Sequence, residues 1–311
     1  MMELRDRLLR KLRERLYIHQ VRGVLDTPPL VPRDDGVIVY SMIGTKVLLP
    51  YLVAVKSLHH FLRRGRVVIL DDGTLTDADK AVLAHHLGKP EILSTAKVDT
   101  HGCPTYSSWK RLFALLELRR ENYVIQLDSD TVTIGDVPLV TELVDRKTSF
   151  ILRGEDGVAF TDPATIARQA RAYALAPGEK AHVQLAMEAE MDRVSIPGHD
   201  KLRYVRGCAG FAGFAPDPGG SRLAEQFSAE ASRLLGFDHW SRWGSEQVTS
   251  NFLISNEAGS QLLPYDQYCN FWNEPFGPDM RFIHFIGTYR YHGGVYGRVS
   301  RQMIARLKAA A

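Results

Sequence analysis

The chain of 311 residues is 45% hydrophobic and 24% charged, an ordinary globular balance that excludes a disordered or low-complexity polymer. A formal net charge of +3 is too small for a nucleic-acid footprint, although a mildly basic balance suits a ligand that carries phosphates. Cys103, Cys208 and Cys269 stand far apart without CxxC spacing, which argues against a zinc ribbon or a disulfide framework and for a reducing compartment.

The first residues place Leu4, Leu8, Leu9, Leu12 and Leu16 on one side of an expected helix, with Arg5, Arg7, Arg10, Lys11, Arg13 and Arg15 crowding the remainder. The commoner use of such a helix is to pack its leucines against the body and solvate its arginines. The alternative is peripheral contact of residues 1–22 with an anionic membrane surface. The start lacks the apolar core of a signal peptide, and no stretch approaches the roughly 20 apolar residues that span a bilayer. A cytoplasmic location is therefore expected, membrane-peripheral if the second use holds. Thr27 to Asp35, with three prolines, reads as a linker. The expected division is a basic amphipathic helix and linker over 1–30, then one domain over 31–311 with a donor half of about 31–150 and an acceptor half of about 151–311.

After the linker, Val37 to Tyr40 reads as a strand, Tyr51 to Phe61 as a helix, and Val67 to Leu70 as the apolar run of a buried parallel strand stopped by Asp71-Asp-Gly73. Thr76 is placed to cap the next helix, with Asp79 at the capping-box position. Glu91 to Ser94, a helix across Trp109 to Leu118, and the strand Tyr123 to Leu127 continue the beat. Alternation of this kind implies right-handed crossovers, a mostly parallel Rossmann-like sheet flanked by helices, and ligands bound beyond the carboxyl ends of the strands. Ser41, Asp71, Asp72, Asp128 and Asp130 all fall there. Beyond Asp136 the pattern is mixed, and a less regular second half is expected.

Asp128-Ser-Asp130 directly after a buried strand offers two carboxylates to a hard divalent cation, Mn or Mg, that also wants diphosphate oxygens. A turn in which both aspartates cap backbone amides is the plainer alternative. Near the far end, His284 and Arg290 on a Gly287-containing loop offer an imidazole and a phosphate-binding cation.

In these residues the chain resembles the GT-A glycosyltransferases of family 8, which include the bacterial lipopolysaccharide galactosyltransferases and the glycogenins. Val53 to Ser57 is similar to the helix after the family's first strand, and Leu70 to Lys80 to its second strand and turn. Arg111 stands where the family has a phosphate-contacting Arg ahead of its DxD. Gly207-Cys-Ala-Gly210 resembles the segment facing the donor sugar, Glu246-Gln-Val-Thr-Ser-Asn251 resembles Asp-Gln-Asp-x-x-Asn, and His284-Phe-Ile-Gly287 with Arg290 resembles the terminal motif that closes over the diphosphate. The matches run in order from about Val37 to Arg290.

The resemblance implies a GT-A fold of the nucleotide-diphospho-sugar transferase type and a metal held by Asp128, Asp130 and His284. It implies contacts to the nucleotide sugar from Ser41, Asp71, Asp72, Arg111, Asp128, Ser129, Cys208, Gly210, Gly287 and Arg290, with Glu246, Gln247 and Asp130 as catalytic candidates. The implied reaction moves a hexose from a nucleotide diphosphate sugar, UDP-sugar being the expected donor, to a glycan, lipid-linked or protein acceptor, with retention. A front-face return needs little beyond metal and positioning, whereas a covalent route would use Gln247 as nucleophile. Departures are Ser41 where the family reads the base with an Asp, Cys208 for Asn, Val248 for a carboxylate and Tyr291-His292 for Pro-Trp.

Three rivals remain. A dehalogenase-type phosphatase is suggested by Leu70-Asp-Asp-Gly-Thr-Leu75 and loosely by Asp128-Ser-Asp-Thr-Val132, but Leu70 occupies the nucleophile's position in the first and the second lies mid-chain without the helical cap order of that fold. A nucleotidyltransferase would want a Gly-rich basic loop where Ser41 to Lys46 has one Gly and one Lys. The third is a nucleotide-sugar-binding protein of the same fold without turnover.

Overall fold

A computed structural model describes residues 4–173 and 181–310. Helix α1 (Leu4–Val21) leads into β1 (Val37–Ile43), α2 (Leu48–Leu62), β2 (Arg66–Asp71), α3 (Asp77–Leu87), β3 (Glu91–Ser94), α4 (Ser107–Leu118) and β4 (Tyr123–Leu127). Side chains alternate along a strand, so β1 sends Val37 and Val39 into one apolar layer and Ile38 and Tyr40 into the other. That two-sided burial produces the near-continuous apolar runs seen in β1, β2 and β4. The capping box at α3 forms as expected, Thr76 accepting from the Asp79 amide while the Asp79 carboxylate accepts from the Thr76 amide.

The chain continues through β5 (Thr131–Thr133), α5 (Pro138–Asp145), β6 (Phe150–Arg153), α6 (Pro163–Ala172), α7 (Val183–Ala189) and β7 (Gly207–Phe214). Then come α8 (Arg222–Leu235), α9 (Phe237–Trp240), α10 (Ser245–Ser255), β8 (Gln261–Leu262), β9 (Tyr268–Asn270), β10 (Phe282–His284) and α11 (Val295–Ala309). The main sheet has the order β3-β2-β1-β4-β7-β6-β8, with β7 antiparallel to both neighbours and the other pairs parallel. This is the mostly parallel α/β architecture that the alternation implies. A small second sheet, β5-β10-β9, stands at the end of β4.

The second half is more regular than its sequence suggests. It supplies β6, β7 and β8 to the main sheet, and β7 lies between β4 and β6. Strands of two to four residues, such as β8, β9 and β10, are too short to show periodicity, which is why the sequence reads as irregular there.

Helix α1 corrects the packing expectation. Leu9, Leu12 and Leu16 are 39%, 64% and 55% exposed, while Tyr17 and Val21 are buried. The helix meets the body through its last turns, where the Tyr17 ring stacks on Tyr296 of α11 at 3.9 Å between centroids. The side chains of residues 4–8, which include Leu4, Leu8, Arg5 and Arg7, lie outside the described ones.

Candidate functional site

The backbone at the end of β4 decides where the aspartates point. The Asp128 amide donates to the Gly210 carbonyl at 2.8 Å, tying the strand end to β7, and the Thr131 hydroxyl donates to the Asp128 carbonyl at 2.9 Å, closing the turn. β5 then pairs antiparallel with β10, setting Thr131 opposite His284, and the Phe285 amide donates to the Asp130 carbonyl at 2.8 Å. A pairing across more than 150 residues of sequence thus brings the imidazole to the carboxylates. His284 Nε2 lies 3.2 Å from Asp130 Oδ1 and 3.8 Å from Asp128 Oδ2, and the three residues offer ligand atoms within 4.8 Å of one another. Two ligands each about 2.1 Å from one small divalent cation are at most about 4.2 Å apart, so only slight adjustment is needed. The donor set of two carboxylates and one imidazole fits such a cation.

Two neighbours set the imidazole. Asn270, opposite His284 in the β9–β10 register, places Oδ1 at 3.0 Å from Nδ1 and donates both amide hydrogens, to the Arg153 and Gly154 carbonyls at 2.9 Å each. With its NH2 so committed, the oxygen must face the ring and accept from Nδ1–H, which turns Nε2 toward the carboxylates. The ring also packs flat against β7. A Cβ on Gly210 would stand 2.2 Å from His284 Cε1, so only glycine leaves room for it. Cys208 Sγ lies 3.3 Å from Nδ1, on the ring edge away from the aspartates.

Charge is balanced closely. Arg111 of α4 donates to Asp128 Oδ1 at 2.6 Å, and Arg290 pairs with Asp130 Oδ2 while its Nε donates to the Phe285 carbonyl at 2.9 Å. Burial opposes ionisation of Asp130, but the charges of His284 and Arg290 outweigh it and hold the carboxyl below its ordinary range. Burial likewise opposes a charged His284, yet the Cys208 sulfur and the Asp130 carboxylate beside it raise its pKa well above the usual value. In the absence of a cation, His284 therefore carries a proton on the nitrogen that faces the aspartates.

The other sequence candidates have distinct places. Ser41 is buried and spends its hydroxyl on the Leu127 carbonyl at 2.6 Å, bracing β1 against β4 instead of presenting a group to a ligand. Asp71 accepts from the Gly73 and Leu75 amides, and Asp72 accepts from the Thr74 amide and hydroxyl, so both organise the turn after β2. Glu246, in the first turn of α10, accepts from the Tyr106 hydroxyl at 2.5 Å and the Gly244 amide at 3.2 Å, and reaches Arg111 through its field. Gln247 is partly exposed on the same turn. The Ser129 carbonyl faces the Tyr296 hydroxyl at 3.4 Å, and Gly287, at φ 45°, gives the loop between His284 and Arg290 its left-handed turn. Sequence reading missed Asn270, Tyr106 and Tyr296, whose relations to the site are all long-range and leave no local signal.

No protein-family model matches the sequence. No curated protein matches it either. Among solved structures, mouse xyloside xylosyltransferase 1 is similar at 12% identity, over 79% of this chain and 96% of that one, with a TM-score of 0.46. The galactosyltransferase LgtC in complex with donor and acceptor sugar analogs is similar at 12% identity over 88% and 95%, TM-score 0.49. The glycosyltransferase GlyE of Streptococcus pneumoniae is similar at 13% over 88% of this chain and 63% of its own, TM-score 0.48. These neighbours are glycosyltransferases, the class the sequence resembles. At such scores the likeness leaves function to the site's own groups.

Proposed function

We propose that this chain is a metal-dependent glycosyltransferase that moves a hexose from a nucleotide diphosphate sugar, with UDP-sugar the expected donor, to a glycan, lipid-linked or protein acceptor. The observation that carries the reading is the convergence of Asp128, Asp130 and His284 with Arg111 and Arg290 at the carboxyl end of β4. Two aspartates and two arginines cancel, so a divalent cation held with neutral His284 leaves the site positive by about two charges, the complement of a diphosphate diester. The mixed oxygen and nitrogen donors suit Mn, with Mg the second choice.

Asp128, Asp130 and His284 would hold the cation, which when bound supplies Lewis-acid neutralisation of the departing nucleotide diphosphate. Arg111 and Arg290 exchange their carboxylate partners for diphosphate oxygens. Asn270 and Gly210 hold the imidazole in place. Glu246 and Gln247, at the amino end of α10, are the proposed groups nearest the sugar's reacting face. Retention by front-face return fits a site without a free carboxylate nucleophile at Gln247. The phosphatase alternative loses further ground, because Leu70 is fully buried and the Asp71 carboxylate is committed to backbone amides.

Thermal stabilisation by nucleotide diphosphates and nucleotide sugars, each with Mn, with Mg and with chelator, tests the reading. Beyond what the metal alone supplies, a further stabilisation of about 2.7 kcal/mol at a nucleotide concentration a hundred times Kd is expected for one nucleotide, and only with the metal present. Metal-independent shifts, or none with any nucleotide, would overturn it. A stabilising pair without sugar transfer to any acceptor would favour the binding-protein alternative.

Metal affinity should also depend on pH. His284, with its raised pKa, must lose a proton to become a ligand, so the cation competes with that proton and binds more tightly as pH rises. An increase approaching about tenfold per pH unit, with about one proton released per cation, is expected below the raised His284 pKa, levelling off once the pH passes it. Calorimetry in buffers of different ionisation enthalpy measures both, and a flat profile would remove His284 from the ligand set.

A further inference from the structure

Every residue of α1 from Leu9 to Leu16 is exposed, although the helix is anchored at its other end by Tyr17 and Val21. Leu9, Leu12 and Leu16 fall within an arc of about 60° on a helix turning 100° per residue, so they form one solvated apolar stripe. Arg13 borders that stripe on one side and Arg15 on the other, with Arg10 and Lys11 on the same turns, all of them exposed. Among the described side chains from Leu9 to Leu16, Glu14 is the one acidic group.

Helix α11 extends this basic character. It packs against α1 through the Tyr17–Tyr296 stack and the contact of the Tyr17 and Ser300 hydroxyls at 3.2 Å. It exposes Arg298, Arg301, Arg306 and Lys308 and contains no acidic residue. Lys308 is paired with Asp26 and Arg306 lies over the Phe61 ring, while no acidic partner within 4.0 Å is found for Arg298 or Arg301 among the described residues. An apolar stripe flanked by arginines and backed by a second basic helix is complementary to a surface that is negative outside and apolar beneath. A second copy of the same basic face would repel it.

We infer that α1 is the docking element of this protein on a bilayer containing anionic lipid, with Leu9, Leu12 and Leu16 entering the headgroup and acyl boundary and the exposed α1 cations, helped by Arg298 and Arg301 of α11, meeting the headgroups. The frame is continuous with the site: Tyr17 stacks on Tyr296, Tyr296 stacks on Phe285 at 4.4 Å between centroids, and Phe285 follows His284 directly. Docking therefore sets the orientation of the metal-ligand cluster relative to the bilayer. The inference stands on surface chemistry and does not depend on the transferase reading.

The test is co-sedimentation of the full chain with vesicles of phosphatidylcholine alone and of phosphatidylcholine with phosphatidylglycerol, at low and at physiological salt. Pelleting is expected with the mixed vesicles and not with the neutral ones. The double variant Leu12→Asp/Leu16→Asp, whose changes lie on exposed positions, should keep the unvaried chain's melting temperature and weaken partitioning at least about tenfold. Arg13→Glu/Arg15→Glu should weaken it as well. Failure of the unvaried chain to pellet with anionic vesicles overturns the inference. Pelleting that the leucine variant leaves unchanged overturns apolar entry. Concentration-dependent self-association without lipid, abolished by the same leucine variant in sedimentation velocity, would assign the stripe to a second copy instead.

Discussion

Asp130→Ala is expected to abolish metal-dependent transfer, a loss of at least about two to three orders of magnitude that excess Mn does not restore. The carboxylate is buried and shared between His284 and Arg290, so nothing else among the described residues can take its place beside Nε2 except Asp128 at 3.8 Å. Removing it also leaves two charges facing each other, and breaking a buried pair costs about 3–5 kcal/mol, less here because Arg290 keeps some access to water. Asp130→Asn separates function from folding. The amide keeps an oxygen for His284 and fills the same volume, so the variant should fold and still fail to bind Mn by calorimetry. Retained activity in either variant would sink the metal-centre reading. Because Asp130 is held below the ordinary carboxylate range, its contribution to stability is present above that range and disappears as pH falls through its folded value.

Gly210→Ala should be nearly as damaging, although it touches no charge. The added methyl would stand 2.2, 2.6 and 2.8 Å from His284 Cε1, Nδ1 and Nε2, and the ring is held by Asn270 and bordered by Cys208, so it must tilt off the aspartates or push β7 aside. Overpacking of this kind costs about 1–3 kcal/mol, and a displaced imidazole should lower Mn affinity at least about tenfold before any nucleotide is added. The backbone there is not in the left-handed region, so no conformational strain confuses the result. The family resemblance implied a different role for Gly210, contact with the donor. If donor affinity falls while Mn binding to the free protein is unchanged, that role is the correct one and the steric argument fails.

Different physical signals explain which parts of the protein could be read from the chain. The alternation from Val37 to Leu127 was legible because β1, β2 and β4 are buried on both faces and so read as short continuous apolar runs, separated by longer helical stretches and by turn residues. The turn Thr76 to Asp79 was legible because a capping box is local chemistry. Asp128 and Asp130 stood out as a pair at a strand end, and His284 and Arg290 through their order behind it. Asn270 did not stand out, because a buried asparagine in a three-residue strand looks like any loop residue until its pairing with β10 is known. Ser41 was read as a ligand-facing group because strand ends usually face ligands. Its burial comes from β1 running on to Ile43, past the point where the apolar run ends.

Helix α1 shows the same limit from the other side. Its amphipathic pattern is plain in the sequence, but the pattern does not say whether the leucines or the later Tyr17 and Val21 meet the body. Packing against α11 chose the latter and left Leu9, Leu12 and Leu16 in water.

By itself, then, the sequence determined the layered α/β architecture, the carboxyl-end location of the aspartates and the identity of the charged groups, because these follow from local periodicity and from side-chain chemistry. That Asp128, Asp130 and His284 share one small volume was implied by the family resemblance and is seen in the fold, whereas only the tertiary structure decided that Gly210 makes the space and that Asn270 turns the ring. Those relations depend on the β5–β10–β9 pairing and on β7 lying beside β4, and contacts between residues so far apart in the chain leave no trace in the spacing of either partner.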